Sequence, residues 1–136
     1  MSRVAHRIGV WLREHQLPDG RVRDPLHGDC GTYAAGFAAL VFGLLAAGEG
    51  SGVWEDACRR SLQAARGRPL HSEFDQLALL LLARHCPSAG VSPLPRLYRG
   101  RRLVSHNWVA MRALNHSLRA HLGGNRSDAH AARVLW

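Results

Sequence analysis

Lysine is absent from the 136 residues: all 18 basic side chains are arginine, against 10 acidic ones, for a formal net charge of +8. A nucleic-acid surface usually draws on both basic residues. Arginine alone, amid abundant Ala, Leu and Gly, matches the codon bias of a GC-rich genome better than a selected anion-binding surface. Cysteine is scarce. Cys30, Cys58 and Cys86 are an odd set without a C-x-x-C pair, which argues against a disulfide framework and for reduced thiols in a cytoplasm. The N-terminal stretch Met1 to His15 has no signal-peptide apolar core. The run from Cys30 to Gly48 is apolar, yet it is rich in Ala and Gly, opens with polar groups and lacks an aromatic belt at its far end. It is therefore read as a core helix, and no membrane is expected. No P-loop, G-x-S-x-G or G-x-G-x-x-G occurs, so nucleotide binding and serine-hydrolase chemistry have no support. Low-complexity tracts are missing too, and the length suits one domain with one core.

What the chain does have is helical periodicity. Asp29 to Ala47 carries no charge after Asp29 and is apolar or small on every side, the pattern of a helix buried all round. Its start is polar and reactive, with His27, Asp29, Cys30, Thr32 and Tyr33. Two later stretches repeat the design. His71-Ser72-Glu73-Phe74-Asp75 opens a leucine run, and Ser105-His106-Asn107-Trp108 opens a helix to about Leu122. The expected fold is all-α: about three α/α hairpins, with buried inner helices near 30–47, 72–85 and 105–122. Their decorated N-termini are expected to share one rim.

Between these, Ser2 to Gln16 reads as an amphipathic helix, with Val4, Ile8, Trp11, Leu12 and His15 on one stripe. Leu17-Pro18-Asp19-Gly20 is a turn signal, and Arg21 to Asp24 a short extended piece. Gly48 to Gly52 reads as a linker, and Val53 to Arg66 as an amphipathic helix with Trp54, Ala57, Cys58, Leu62 and Ala65 inward. Ser72, Ser105 and Ser127 are placed to cap helices. Pro87 to Leu103, with three prolines, leaves room only for a short outer helix near 93–98. The last helix has no inner partner after it. Its apolar edge calls for a second copy, a partner chain, or the rest of a larger ring of which this is an N-terminal portion.

The pattern W-L-x-x-x-Q-x-P-D-G-x-x-x-D-P, carried here by Trp11-Leu12, Gln16, Pro18, Asp19, Gly20, Asp24 and Pro25 and followed by a Tyr-bearing Ala-rich helix, resembles repeats of α/α-toroid enzymes. That superfamily includes glycoside hydrolases, polysaccharide lyases, terpene cyclases and lanthionine cyclases. The resemblance covers most of the chain as architecture and matches no single family residue by residue. It implies a carbohydrate-like substrate at the rim of inner-helix N-termini. The Asp-rich box of terpene cyclases is absent. His27-Gly28 with Cys30 and later His85-Cys86 only faintly resembles lanthionine cyclases.

Each cluster has a chemical and a structural reading. Asp29 suits a general acid or base, Tyr33 a proton donor, and His27 and Cys30 metal ligands; equally, Asp29 caps a helix while Gly28 and Gly31 shape the turn. Glu73 and Asp75 point about 200° apart on a helix and cannot pair locally; first-turn acids also suit the helix dipole. Trp108 suits stacking on a sugar, and Asn107 suits hydrogen bonding, while Asn115 and His116 read as lining or partly exposed. The Arg96–Arg102 loop, with Arg99 and Arg101, suits an anion or a solvated surface.

The expected function is a toroid-type enzyme, or part of one, of hydrolase or lyase type. Asp29, Tyr33, His71, Glu73 and His106 would be catalytic. Asp75, Asn107, Trp108, Arg99 and Arg101 would bind a small polar or anionic substrate. The alternative is a non-catalytic helical module that self-associates or docks a partner; an Arg-rich nucleic-acid binder ranks third. No cofactor is expected, with zinc on His27, Cys30, His85 and Cys86 as the variant; the chain is expected in the cytoplasm, without a nucleic-acid partner.

Overall fold

The structure, a computed structural model, describes residues 3–26, 28–29, 31–67, 73–92, 106–123 and 126–135, and at residues 29, 31–33, 75 and 106 the backbone alone. These residues form α1 (Arg3–Glu14), a hairpin of β1 (Arg23–Asp24) and β2 (Gly28–Asp29), α2 (Gly31–Glu49), α3 (Gly52–Arg66), α4 (Glu73–His85), a 3-10 turn at Pro87–Ala89, α5 (His106–His121) and α6 (Arg126–Leu135). The fold is all-α, and the helices expected near 30–47, 72–85 and 105–122 stand within a residue or two of those bounds. The caps Ser72 and Ser105 and the short helix near 93–98 lie outside the described residues.

Helices α2, α4 and α5 pack in a row; α3 lies on α2 and α6 on α5. Small residues bring α3 against α2. Ala35, Ala38, Ala39 and Ala57 are fully buried, and the Cys58 thiol donates to the Ala39 carbonyl at 3.3 Å. Trp54 stacks on Phe42, with ring centroids 6.0 Å apart. Because Trp54 meets Phe42 and Cys58 meets Ala39, the two helices run antiparallel. On α4's side, Gly43 gives α2 its closeness: a Cβ there would lie 2.6 Å from Leu82. The helix is nonetheless not buried all round, since Leu44 is exposed.

The expected five-residue linker after α2 is shorter. Gly48 and Glu49 still belong to α2, and Gly52 already belongs to α3. The reason is Glu49, whose carboxylate accepts from Trp54 Nε1 at 2.8 Å and is paired with His6 Nδ1 at 2.9 Å. Those two bonds, His6 first, hold its pKa below the ordinary carboxylate range. One side chain thus ties α1, α2 and α3 together.

Helix α1 differs most from expectation. Its inward residues are Ala5, Gly9 and Leu12; of the expected stripe, Leu12 faces in while Val4, Ile8 and Trp11 do not. Gly9 decides the rotation. A Cβ on it would sit 2.1 Å from Leu45 Cδ1, so a larger residue there would have to displace that buried methyl group. Val4, Ile8 and Trp11 are left 65, 48 and 41 % exposed. After α1 the chain turns as expected: Gly20 N–H donates to the Leu17 carbonyl at 2.9 Å. This turn is bolted to α3, where Ser61 Oγ donates to the Gly20 carbonyl at 3.0 Å and Gln16 Nε2 donates to Ala57 O and Ser61 Oγ. At the other end of the chain, α6 begins at Arg126, so Ser127 lies inside its first turn instead of capping it.

Candidate functional site

The expected rim can be traced where α4 meets α5. Trp108 sets its edge on Phe74, with centroids 5.5 Å apart at 84°. At the far end Arg84 bonds His121. The two helices therefore run in the same direction, with their starts side by side. Glu73, on α4, is 2 % exposed. Its carboxylate accepts from Arg112 Nε at 3.0 Å and also from Arg112 Nη2. Its carbonyl accepts from Asn115 Nδ2 at 2.8 Å. Gln76 and Asn115 fill the space beside this pair, each 1 % exposed; Asn115 is thus buried, contrary to its reading as a lining residue. Both Arg112 bonds fall on one oxygen, Oε1, so the guanidinium offsets the charge of the buried carboxylate.

Of the other expected site residues, Asn107 is exposed and Trp108 half-buried. For Asp29, Tyr33, Asp75 and His106 only the backbone is described, and His27, Cys30, His71, Arg99 and Arg101 lie outside the described residues. His85 is exposed while the adjacent Cys86 is buried, so the two project apart. Among the described residues no group of three His, Cys, Asp or Glu side chains gathers as a metal site, and no helix is long and apolar enough to cross a membrane.

Sequence reasoning missed a second polar knot. Asp128, 5 % exposed, accepts from Arg119 Nε at 3.0 Å and lies 3.1 Å from His116 Nδ1. It pins α6 to α5. Neither knot has a local sequence signature, because each joins residues from different helices.

A cavity of about 550 Å³ opens beside the C-terminal half of α2, lined by Gly43, Ala46, Asp56, Cys58, Arg59 and Cys86. It lies away from the rim. Burial pushes the Cys58 thiol up to about 11 and the Cys86 thiol above its usual value, so both stay protonated at neutral pH and neither is a poised nucleophile. Asp56 is paired with Arg59 and Arg60. The cavity thus has mixed walls, apolar beside charged, and no activated thiol.

No protein-family model, curated protein or solved structure matches the chain. The functional reading therefore rests on geometry. Among the described residues, the outer face of α1 is a run of apolar side chains that folding leaves uncovered. Val4, Ile8 and Trp11, with Arg7 beside them, border a shallow apolar groove. Trp11 lies flat on His15, with centroids 4.2 Å apart, which widens the patch by another ring. Scattered exposed apolar residues are ordinary; these three lie side by side along one helix.

Proposed function

We propose that the protein is a non-catalytic helical module that docks a protein partner through the outer face of α1. The observation that carries this reading is the rotation of α1. Its apolar moment points to solvent, while a glycine-centred face does the internal packing. A helix stabilised only within its own chain would turn its Val, Ile and Trp inward. The enzyme reading ranks second, because the one rim carboxylate with a described side chain, Glu73, is already engaged by Arg112.

The reading is tested with an environment-sensitive apolar dye and the variant Ile8→Asp. The wild-type protein should bind the dye with a rise in fluorescence. Ile8→Asp should lose most of that signal at unchanged helix content, since Ile8 is 48 % exposed. Equal dye binding by both proteins, or none by either, would remove the docking function from this face.

A further inference from the structure

The α1 face is self-complementary, and we infer that its occupant is a second copy of the chain, paired through an antiparallel α1–α1 contact. This inference rests on the docking reading above and specifies its partner.

The spacing comes first. Val4, Ile8, Trp11 and His15 follow one another at intervals of four, three and four residues, the alternation of core positions in a helix pair. Assigned that way, Ala5, Gly9 and Leu12 fall on the flank that already packs on α2. The opposite flank carries Arg7 and Glu14. Both are exposed, and neither forms an ion pair within the described residues.

The charges set direction. When two such helices lie antiparallel about a two-fold axis between residues 9 and 10, Ile8 of one copy meets Trp11 of the other. Val4 then meets His15. In that register Arg7 faces Glu14 of the second copy, and Glu14 faces its Arg7. Both pairs are attractive, and both arise from one chain's own sequence. A parallel pairing would instead set the Arg7 and Glu14 flank of each copy against the Ala5 and Leu12 flank of the other, which already packs on the chain's own core. Isologous contacts of this kind close after two copies.

Size sets the strength. A helix of 12 residues is about 18 Å long. One such pair buries less than the roughly 1,200 Å² of a standard interface, so association should be weak and strongly dependent on concentration. An anionic membrane is the competing occupant, since α1 also carries Arg3, Arg7 and Arg13. Glu14 on the stripe's flank favours the second copy, because it would face a negatively charged surface.

Charge reversal tests the register. Sedimentation velocity over a wide concentration range should show the wild-type chain passing from monomer to dimer. Arg7→Glu and Glu14→Arg should each weaken dimerisation about 10-fold, because each turns two attractive pairs into two repulsive ones. The double variant Arg7→Glu/Glu14→Arg should recover to within about threefold of wild type, since its pairs are attractive again. Three results would overturn the inference: a wild-type chain monomeric up to about 1 mM, well above weak-interface affinities; single reversals without effect; or a double variant as weak as the singles. A strict monomer that binds vesicles of anionic lipid, and loses that binding with Arg7→Glu, gives the face to a membrane. Loss of dimerisation with dye binding intact leaves the docking reading standing and removes only the second copy.

Discussion

Gly20→Ala should destabilise the fold by about 4 kcal/mol, one of the largest effects of any single methyl group in this chain. Two causes add. Gly20 holds a φ of +86°, in the left-handed region, where an alanine costs about 1 kcal/mol. The new Cβ would also stand 2.0 Å from the Arg60 carbonyl oxygen and 2.3 Å from its carbon. Those are backbone atoms of α3 and cannot swing aside. The turn must lift off, giving up the Ser61 bond to the Gly20 carbonyl and the Gln16 bonds to Ala57 and Ser61, at about 1 kcal/mol each. Gly50 is the internal control. Its φ is +62°, but nothing lies within 4 Å of an added Cβ, so Gly50→Ala should cost only about 1 kcal/mol. Urea unfolding of both variants measures the difference; similar losses at the two sites would show that the turn does not bear on α3.

The second large effect is at Glu73. Glu73→Ala should cost about 3 kcal/mol, because it removes a buried carboxylate that takes two charge-assisted bonds from Arg112 and leaves a gap beside Gln76 and Asn115. Replacing both partners by leucine should recover much of that loss, since two packed apolar groups need no counter-charge. Urea unfolding measures this too. A loss below about 1 kcal/mol, the range of exposed ion pairs, would mean that the carboxylate is not committed to packing, and would return Glu73 to the candidates for acid–base chemistry.

The helices were legible in the sequence because their cause is local. An unbroken apolar run such as 31–47, a leucine run such as 77–82, and Gly or Pro at the ends need no knowledge of the partner. The Leu17–Gly20 turn was legible for the same reason. The facing of α1 was not. Counting apolar residues favours Val4, Ile8 and Trp11 as the inward stripe, and only the approach to Leu45 and Trp54 shows that Gly9 must point there. The linker after α2 was misjudged because Glu49 looks like a loop residue until His6 and Trp54 are seen to hold it. Glu73 was legible as a first-turn acid, but Arg112, 39 positions away, decides what that acid does. Residues whose role depends on a side chain from another helix carry no mark in their own neighbourhood.

The measurement that bears most directly on the account is residue-resolved hydroxyl-radical labelling of α1 at low and high protein concentration. Trp11 and Ile8 should label readily in dilute solution and become protected as concentration rises, while Trp54, 5 % exposed, stays protected throughout. Protection of Trp11 and Ile8 at every concentration would place them in the chain's own core, and α1 would then have no face to offer a partner.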